Sequence, residues 1–383
     1  MPFDYYLQRG GQRLRLGYTT GTCAALATQA ATHALLGGHA PTQASLMTPK
    51  GLEVAVDIAD MHVAHNAVSC AVAKDAGDDS DATDGLLIYA RVSKSDIPGI
   101  HIDGGKGVGR VTRPGLQLPI GQAAINNTPR AMISEQAAAV AALYGYFGGL
   151  DVLISIPRGE EVAAQTFNPN LGIEGGLSIL GTSGIVEPQS VQALVDTIAA
   201  EMRMNAAEGH RQLLLTPGNY GENFIAAQFP TQVYPMIKCS NYIGDSIDLA
   251  VDCGYEILLL IGHIGKIIKL AAGIMNTHSH NADGRAEVIT AHAALQGIDQ
   301  GTAEALMHSV TTDAALDILD NLGLREVVCQ SIIDRVQYHI ARRSRKQLEI
   351  GAMIFSNQHG LLASSAEAQA ILQRWQIEDH ADA

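Results

Sequence analysis

The chain has 383 residues, beyond the size at which one hydrophobic core usually suffices, so two domains are expected. Hydrophobic residues make up 47% and charged residues 17%, which excludes an extended disordered chain and fits a compact, enzyme-like body. The formal net charge of −14 argues against general affinity for nucleic acid or anionic membrane, but not against an acidic small molecule met by locally gathered basic side chains.

Five cysteines (Cys23, Cys70, Cys239, Cys253 and Cys329) form no CxxC pair, so neither a disulfide framework nor a cysteine zinc site is expected. The opening MPFDYYLQRGGQRLRLG lacks the layout of a secretory signal, and the most apolar run, Ile257–Ile261, is too short to span a bilayer. The resulting expectation is a cytoplasmic protein that uses neither membrane nor nucleic acid; a homo-oligomer stays open.

Along the first half, residues 21–36 form a predicted alanine-rich helix introduced by Thr19-Thr20-Gly21-Thr22. Helix N–H groups, the helix dipole and the threonine hydroxyls together suit a carboxylate or phosphate; the plainer reading is a threonine cap worth ~1 kcal/mol. Cys23 has no local base and reads as a packed residue rather than a nucleophile. Alternating apolar residues predict strands over 52–58, 67–73, 86–92 and 151–156, forming a mixed sheet covered on one face, with a second helix over 129–146. This half is read as α+β. Its loop from Asp75 to Gly85 carries five aspartates but lacks the closing Glu of a calcium loop. Residues 104–109, GGKGVG, neither follow a buried strand nor open a helix, so they read as a mobile loop rather than a dinucleotide fingerprint. Lys106, Arg110 and Arg113, with Arg130 beyond, form the best local basic cluster and the expected contacts for an acidic substrate.

A polar stretch near residues 158–171 sets the expected boundary, giving domains 1–165 and 166–383. Four strand–turn–helix units then follow. Residues 177–180 empty into Gly181-Thr182-Ser183-Gly184, 212–215 into Thr216-Pro217-Gly218-Asn219-Tyr220-Gly221, 234–239 into Ser240–Gly244, and 256–261 into Gly262-His263-Ile264-Gly265. Such repetition predicts a doubly wound, mostly parallel α/β sheet with glycine- and hydroxyl-bearing turns along its carboxyl edge, where ligands bind. His263 stands on that edge as the candidate base. Beyond Gly273 helices are predicted over 286–295, 302–322 and 327–345, then a hairpin over 348–362 and a last helix from Ser364. The cluster Thr277-His278-Ser279-His280-Asn281-Ala282-Asp283-Gly284-Arg285 lacks further ligands at helical spacing, so it reads as a substrate-facing loop and no metal site is expected.

The blocks GYTTGTCAA, DAGDD, GVGRVTRPGLQLPIGQAAIN with PR following, IPRGEEVAAQTFNPNLGIEGGLSILGTSGIVEP, TPGNYG, GHIGK and NTHSHNADGRAE occur in this order across residues 17–287. In these blocks the chain resembles the cobalt-precorrin-5B C-1-methyltransferases of anaerobic cobalamin biosynthesis, the CbiD family. The resemblance implies transfer of methyl from S-adenosylmethionine to ring carbon C-1 of a cobalt-containing corrinoid, giving cobalt-precorrin-6A, with cobalt arriving in the substrate. Beside that implication, Gly181, Thr182, Ser183, Gly184, Thr216, Gly218, Asn219 and Gly262 are the expected cofactor contacts. Thr19, Thr20, Gly21, Thr22, Lys106, Arg110, Arg113 and Arg130 are those expected for the substrate's carboxylates. Two other function classes are a small-molecule kinase using the Thr19–Thr22 helix N-terminus, although no Walker A sequence is present, and a non-catalytic corrinoid carrier.

Overall fold

A computed structural model describes residues 3–9, 11–229 and 234–381. The chain divides into two units, Met1–Val191 and Gln192–Ala383, so the division falls beyond the short strands Ile173–Glu174, Gly176–Leu177 and Ile185–Val186 and not at the expected 165/166.

Unit 1 contains the expected mixed sheet. Its five strands lie in the order Ala59–Ala64, Ala67–Ala73, Leu87–Ser95, Gly149–Ser155, Ile100–Gly104. All neighbours are antiparallel except Gly149–Ser155 and Ile100–Gly104. The helix Thr20–Gly37 lies against this sheet and against the helix Asn127–Leu143. Cys23, Ala24, Ala27, Ala30 and Ala31 on the first helix are fully buried, and their small size lets the backbones approach closely: Cys70 Sγ lies 3.2 Å from the carbonyl of Ala27. The predicted strand over 52–58 forms as Glu53–Asp57, but it pairs with Gln43–Met47 in a separate ribbon instead of joining the main sheet.

Two expectations for unit 1 are overturned. The GGKGVG segment is a packed spine rather than a mobile loop: an added Cβ at Gly107 would lie 1.8 Å from the Ile156 carbonyl oxygen, and one at Gly176 would lie 2.2 Å from that of Gly107. Gly107–Val108 pairs in parallel with Gly176–Leu177. Residues 177–180 therefore belong to unit 1 and are not the first strand of the second sheet. The chain after them runs to Ile185–Val186, which pairs antiparallel with Gly17–Tyr18.

Unit 2 is a doubly wound sheet with strand order Met236–Lys238, Gln212–Thr216, Ile257–His263, Glu349–Ser356, Gly360–Ser364. The first four strands are parallel, and the last closes the predicted hairpin as an antiparallel edge. Both faces are covered, as a parallel sheet requires. Leu213, Leu215, Leu258, Leu260, Ile350 and Ile354 belong to one apolar cluster, and Leu214, Leu259, Ile261, Met353 and Phe355 to another. The single helix predicted over 302–322 is two, Gln300–Met307 and Thr312–Asn321, because the Thr311 side chain caps the second by accepting the N–H of Ala314. Among the described residues no helix is long and apolar enough to cross a membrane.

Candidate functional site

In unit 2 the chain leaves Gln212–Thr216 toward Met236–Lys238 and then returns on the other side through Ile257–His263. Between these strands the order reverses, opening a crevice at their carboxyl ends, the usual ligand position in such sheets. Three of the four expected turns meet along this edge. Thr216 is fully buried, yet its Oγ1 finds no hydrogen-bond partner among the described residues. A buried hydroxyl left without a partner costs about 1–3 kcal/mol, so a polar partner is called for. Gly218 has φ +130°, has no atom within 4 Å of where a Cβ would lie, and precedes the helix Asn219–Gln228 without a side-chain cap. A ligand's polar atoms can reach this bare helix N-terminus. Gly262 differs. A Cβ there would lie 2.6 Å from Ile267 and 3.0 Å from Pro217, so this glycine packs one turn beneath another instead of facing a ligand.

His263 is half-buried, and its Nδ1 accepts the N–H of Gly265 at 3.1 Å, capping the short helix Ile264–Ile267. Burial lowers its pKa, partly opposed by the negative charge of Asp313. The ring is therefore neutral, with Nδ1 engaged and the proton on Nε2. Nδ1 is thus engaged within the fold, and Nε2 is the ring nitrogen left for a partner. Its ring meets Phe355 edge-on at 5.6 Å and lies 6.0 Å from that of Tyr220, whose side chain is exposed.

Two lysines of this edge had not been picked out as site residues. Lys266 Nζ donates to the carbonyls of Pro217 (2.9 Å) and Ser240 (3.5 Å), joining the first and second turns, and burial lowers its pKa. Lys269 is buried and donates to the carbonyls of Thr277 (3.1 Å) and Ala282 (2.9 Å), holding the 277–285 loop. Two lysines three residues apart after a single glycine-bearing strand end, Gly262–Gly265, were the available signal. In that loop His278 Nδ1 accepts the N–H of His280, while Arg285 bonds Asp283 and lowers its carboxyl to about 2. Among the described residues, no group of His, Cys, Asp and Glu is arranged to hold a metal ion.

In unit 1 the structure brings together two sets expected to serve different ligands. Thr19 Oγ1 accepts the N–H of Thr22 (3.2 Å), and Thr20 Oγ1 accepts that of Leu180 (3.0 Å). Gly21 N–H donates to the Leu180 carbonyl, and Thr22 Oγ1 donates to that of Gly184 (2.7 Å). The 178–184 strap thus occupies the helix N-terminus that was expected to take an anion. Gly181, with φ +127°, is pressed onto Thr19, and Gly184, with φ +76°, onto Thr48 and Thr22. These glycines serve packing within unit 1, and the kinase reading loses its phosphate site. Ser183 is turned onto its own strap, its Oγ donating to the Ile185 carbonyl, whereas Thr182 is exposed.

The basic cluster is also largely engaged. Arg110 pairs with Asp103 at 2.9 Å, and Arg130 donates to the carbonyls of Ile125, Ile102 and Ala123. Arg113 reaches the Asn170 carbonyl at 3.4 Å, while Lys106 keeps an exposed ammonium. The aspartate loop closes on itself, Asp75 taking Arg15 in a two-bond fork at 2.6 and 2.8 Å. Cys23 is fully buried and its thiol is pushed up to about 12 by burial, in keeping with a packed residue.

The family profile CbiD matches residues 7–188, and a second profile, CbiD, C-terminal domain, matches residues 276–366. A protein named cobalt-precorrin-5B C(1)-methyltransferase from Ruminiclostridium cellulolyticum is 46% identical over 92% of this chain and 92% of its own length. One of the same name from Alkaliphilus metalliredigens is 42% identical over 97% of each. The chain belongs to the CbiD family. The first CbiD match ends at the close of unit 1, just past the strap. The switch-point crevice falls largely between the two CbiD matches, and similarity to the full-length relatives spans it. A crystal structure of the cobalamin biosynthesis protein (cbiD) from Archaeoglobus fulgidus is 28% identical, covering 72% of this chain and 86% of that one with a TM-score of 0.40.

Proposed function

We propose that this chain methylates C-1 of cobalt-precorrin-5B, with S-adenosylmethionine as donor, in cobalamin biosynthesis. The observation that carries the reading is identity of 46% and 42% to proteins named for that reaction, over more than nine-tenths of both partners. The cofactor site is placed at the unit 2 crevice. The residues there fit such a group: an orphaned, buried Thr216 hydroxyl, open space at Gly218 and an uncapped helix start at Asn219. A sulfonium donor held there would supply an electrophilic methyl group, with the neutral thioether as the leaving group.

Thr216 Oγ1 and the N–H groups of Asn219 and Tyr220 bind the cofactor's polar ends; those of Gly221 and Glu222 already donate to the Gly218 carbonyl. Lys266 holds the first and second turns in register through its two carbonyl contacts. His263 Nε2–H donates to a carboxylate of the substrate and orients it. Buried Phe355 backs the histidine ring edge-on, and exposed Tyr220 stands at the mouth, where it can lie over a bound ligand. Transfer of this kind needs donor and acceptor carbons in line at close range, so positioning supplies much of the rate. Of the four basic residues expected to meet the substrate in unit 1, Lys106 is the one whose side chain has no partner among the described residues, and it is placed here to meet an acidic group.

The test is calorimetric titration with S-adenosylhomocysteine. Wild-type protein binds, whereas Thr216→Val binds at least tenfold more weakly while its melting temperature holds or rises, because the orphaned hydroxyl is gone. Wild-type affinity in Thr216→Val would move the cofactor elsewhere. Failure to transfer labelled methyl to a bound corrinoid would leave a carrier.

A further inference from the structure

Unit 2 contains a cavity of about 670 Å³ whose lining includes none of the residues described above for the crevice, although Gly244 of the 240–244 turn packs on two of its walls, Met275 and Arg343. It is lined by the carboxyl-terminal half of the helix Ile243–Asp252 and by the chain that ends the helix Arg325–Arg343, including His339, Arg342, Arg343 and Arg345. In a parallel sheet the helices end at the edge opposite the strand ends, so Asp248, Val251 and Asp252 line the cavity from the far end of the helix that Gly244 opens. Its volume is within the range of small-molecule sites.

Three guanidinium groups line the cavity, and only one is matched. Arg343 forks onto Asp248, with Nε 2.8 Å from Oδ1. Arg342 and Arg345 form no ion pair or side-chain hydrogen bond among the described residues, and Asp252, which also lines the cavity, pairs with neither. Cations in a last helical turn complement the helix dipole, which accounts for Arg342 and Arg343. It does not account for Arg345, which lies beyond the helix at φ +52° and is followed by Lys346 at φ +58°. His339 reports the local field: burial first, then the charges of Arg335 and Arg342, lower its pKa. Three arginines against two aspartates, Asp248 and Asp252, leave the lining positive in a chain of net charge −14.

We propose that the cavity binds a small polyanion, with Arg342 and Arg345 pairing with its carboxylate or phosphate oxygens. Planar guanidinium forks match both groups with two bonds each. Two sources carry that chemistry, a tetrapyrrole bearing side-chain carboxylates and a free polyphosphate.

Titration of the full chain with uroporphyrin, an octacarboxylate tetrapyrrole, and separately with inorganic pyrophosphate tests the proposal. At least one probe binds, more weakly as salt rises, and the exposed double substitution R342A/R345A weakens binding at least tenfold while Arg203→Ala leaves it unchanged. Preference for uroporphyrin identifies the cavity as an anchor for carboxylated tetrapyrroles; preference for pyrophosphate identifies a phosphorylated ligand. No binding of either probe at about 1 mM overturns the proposal. So does equal binding by R342A/R345A with an unchanged melting temperature. Binding of S-adenosylhomocysteine by the double variant is measured in parallel, so that loss of the cofactor site is distinguished from loss of this one.

Discussion

Replacing Gly184 with valine separates a packing role for the strap from a cofactor role. Gly184 has φ +76°, and a Cβ built on it would lie 2.9 Å from Thr48 Cβ and 3.0 Å from Thr22 Oγ1. A side chain in the left-handed region costs roughly 1–2 kcal/mol, and forcing bulk into a packed site costs roughly 1–3 kcal/mol more. The sum, about 2–5 kcal/mol, is a large share of a typical domain stability of about 5–15 kcal/mol. For a unit of this size it corresponds to a fall in melting temperature of roughly 4–20 °C. The backbone carbonyl of Gly184 also accepts Thr19 N–H at 3.0 Å and the Thr22 hydroxyl at 2.7 Å, so displacement of the strap adds to the loss. Urea denaturation followed by circular dichroism reads the stability, and calorimetry reads S-adenosylhomocysteine affinity. The expected outcome is a destabilised unit 1 with cofactor affinity unchanged. Unaltered stability together with lost affinity would return the strap to the cofactor site.

Arg130→Leu removes a guanidinium that serves three backbone carbonyls, and is expected to cost about 2–3 kcal/mol in urea titration; a neutral result would mean that water replaces it. Lys269→Met frees the 277–285 loop from its two carbonyl contacts, so limited proteolysis within that loop accelerates while far-ultraviolet dichroism is unchanged. Burial lowers the pKa of His33, His263, His292 and His339 in the folded protein, so as pH falls the unfolded chain takes up protons first. Their contribution is complete above the unfolded value of 6.5 and declines as pH falls through the folded values, and melting temperatures between pH 8 and pH 5 check this.

The doubly wound sheet of unit 2 was legible because fully buried parallel strands read as continuous apolar runs ending in glycine turns, as at Ile257–His263. The same local pattern misled at residues 177–180. A short apolar run before a glycine turn looks alike whether it enters a parallel sheet or a strap, and the pairing of Gly176–Leu177 with Gly107–Val108 leaves no local mark. The glycines of residues 104–109 were ambiguous for a related reason: freedom and close packing both favour glycine, and only the Ile156 carbonyl beside Gly107 decides between them. Thr216, Gly218 and Asn219 were readable as edge residues. The tautomer of His263 was not, since it depends on one backbone N–H two residues on. Arg342 and Arg345 sit at the end of the predicted helix over 327–345, and their lack of carboxylate partners among the described residues is a property of the fold that the sequence does not display.

The pairing of Gly17–Tyr18 with Ile185–Val186 joins the beginning of unit 1 to its end. A nascent chain leaving the ribosome therefore cannot finish this unit until roughly its first half has been made, because the cap on the opening helix is among the last pieces to arrive. Contacts this distant in sequence slow folding and prolong the exposure of apolar surface. A fragment ending at residue 165 would lack the strap and leave the buried threonines of that helix without their partners. Unit 1 is in effect a ring cut open beside its first helix, and its smallest self-sufficient piece is nearly its whole length.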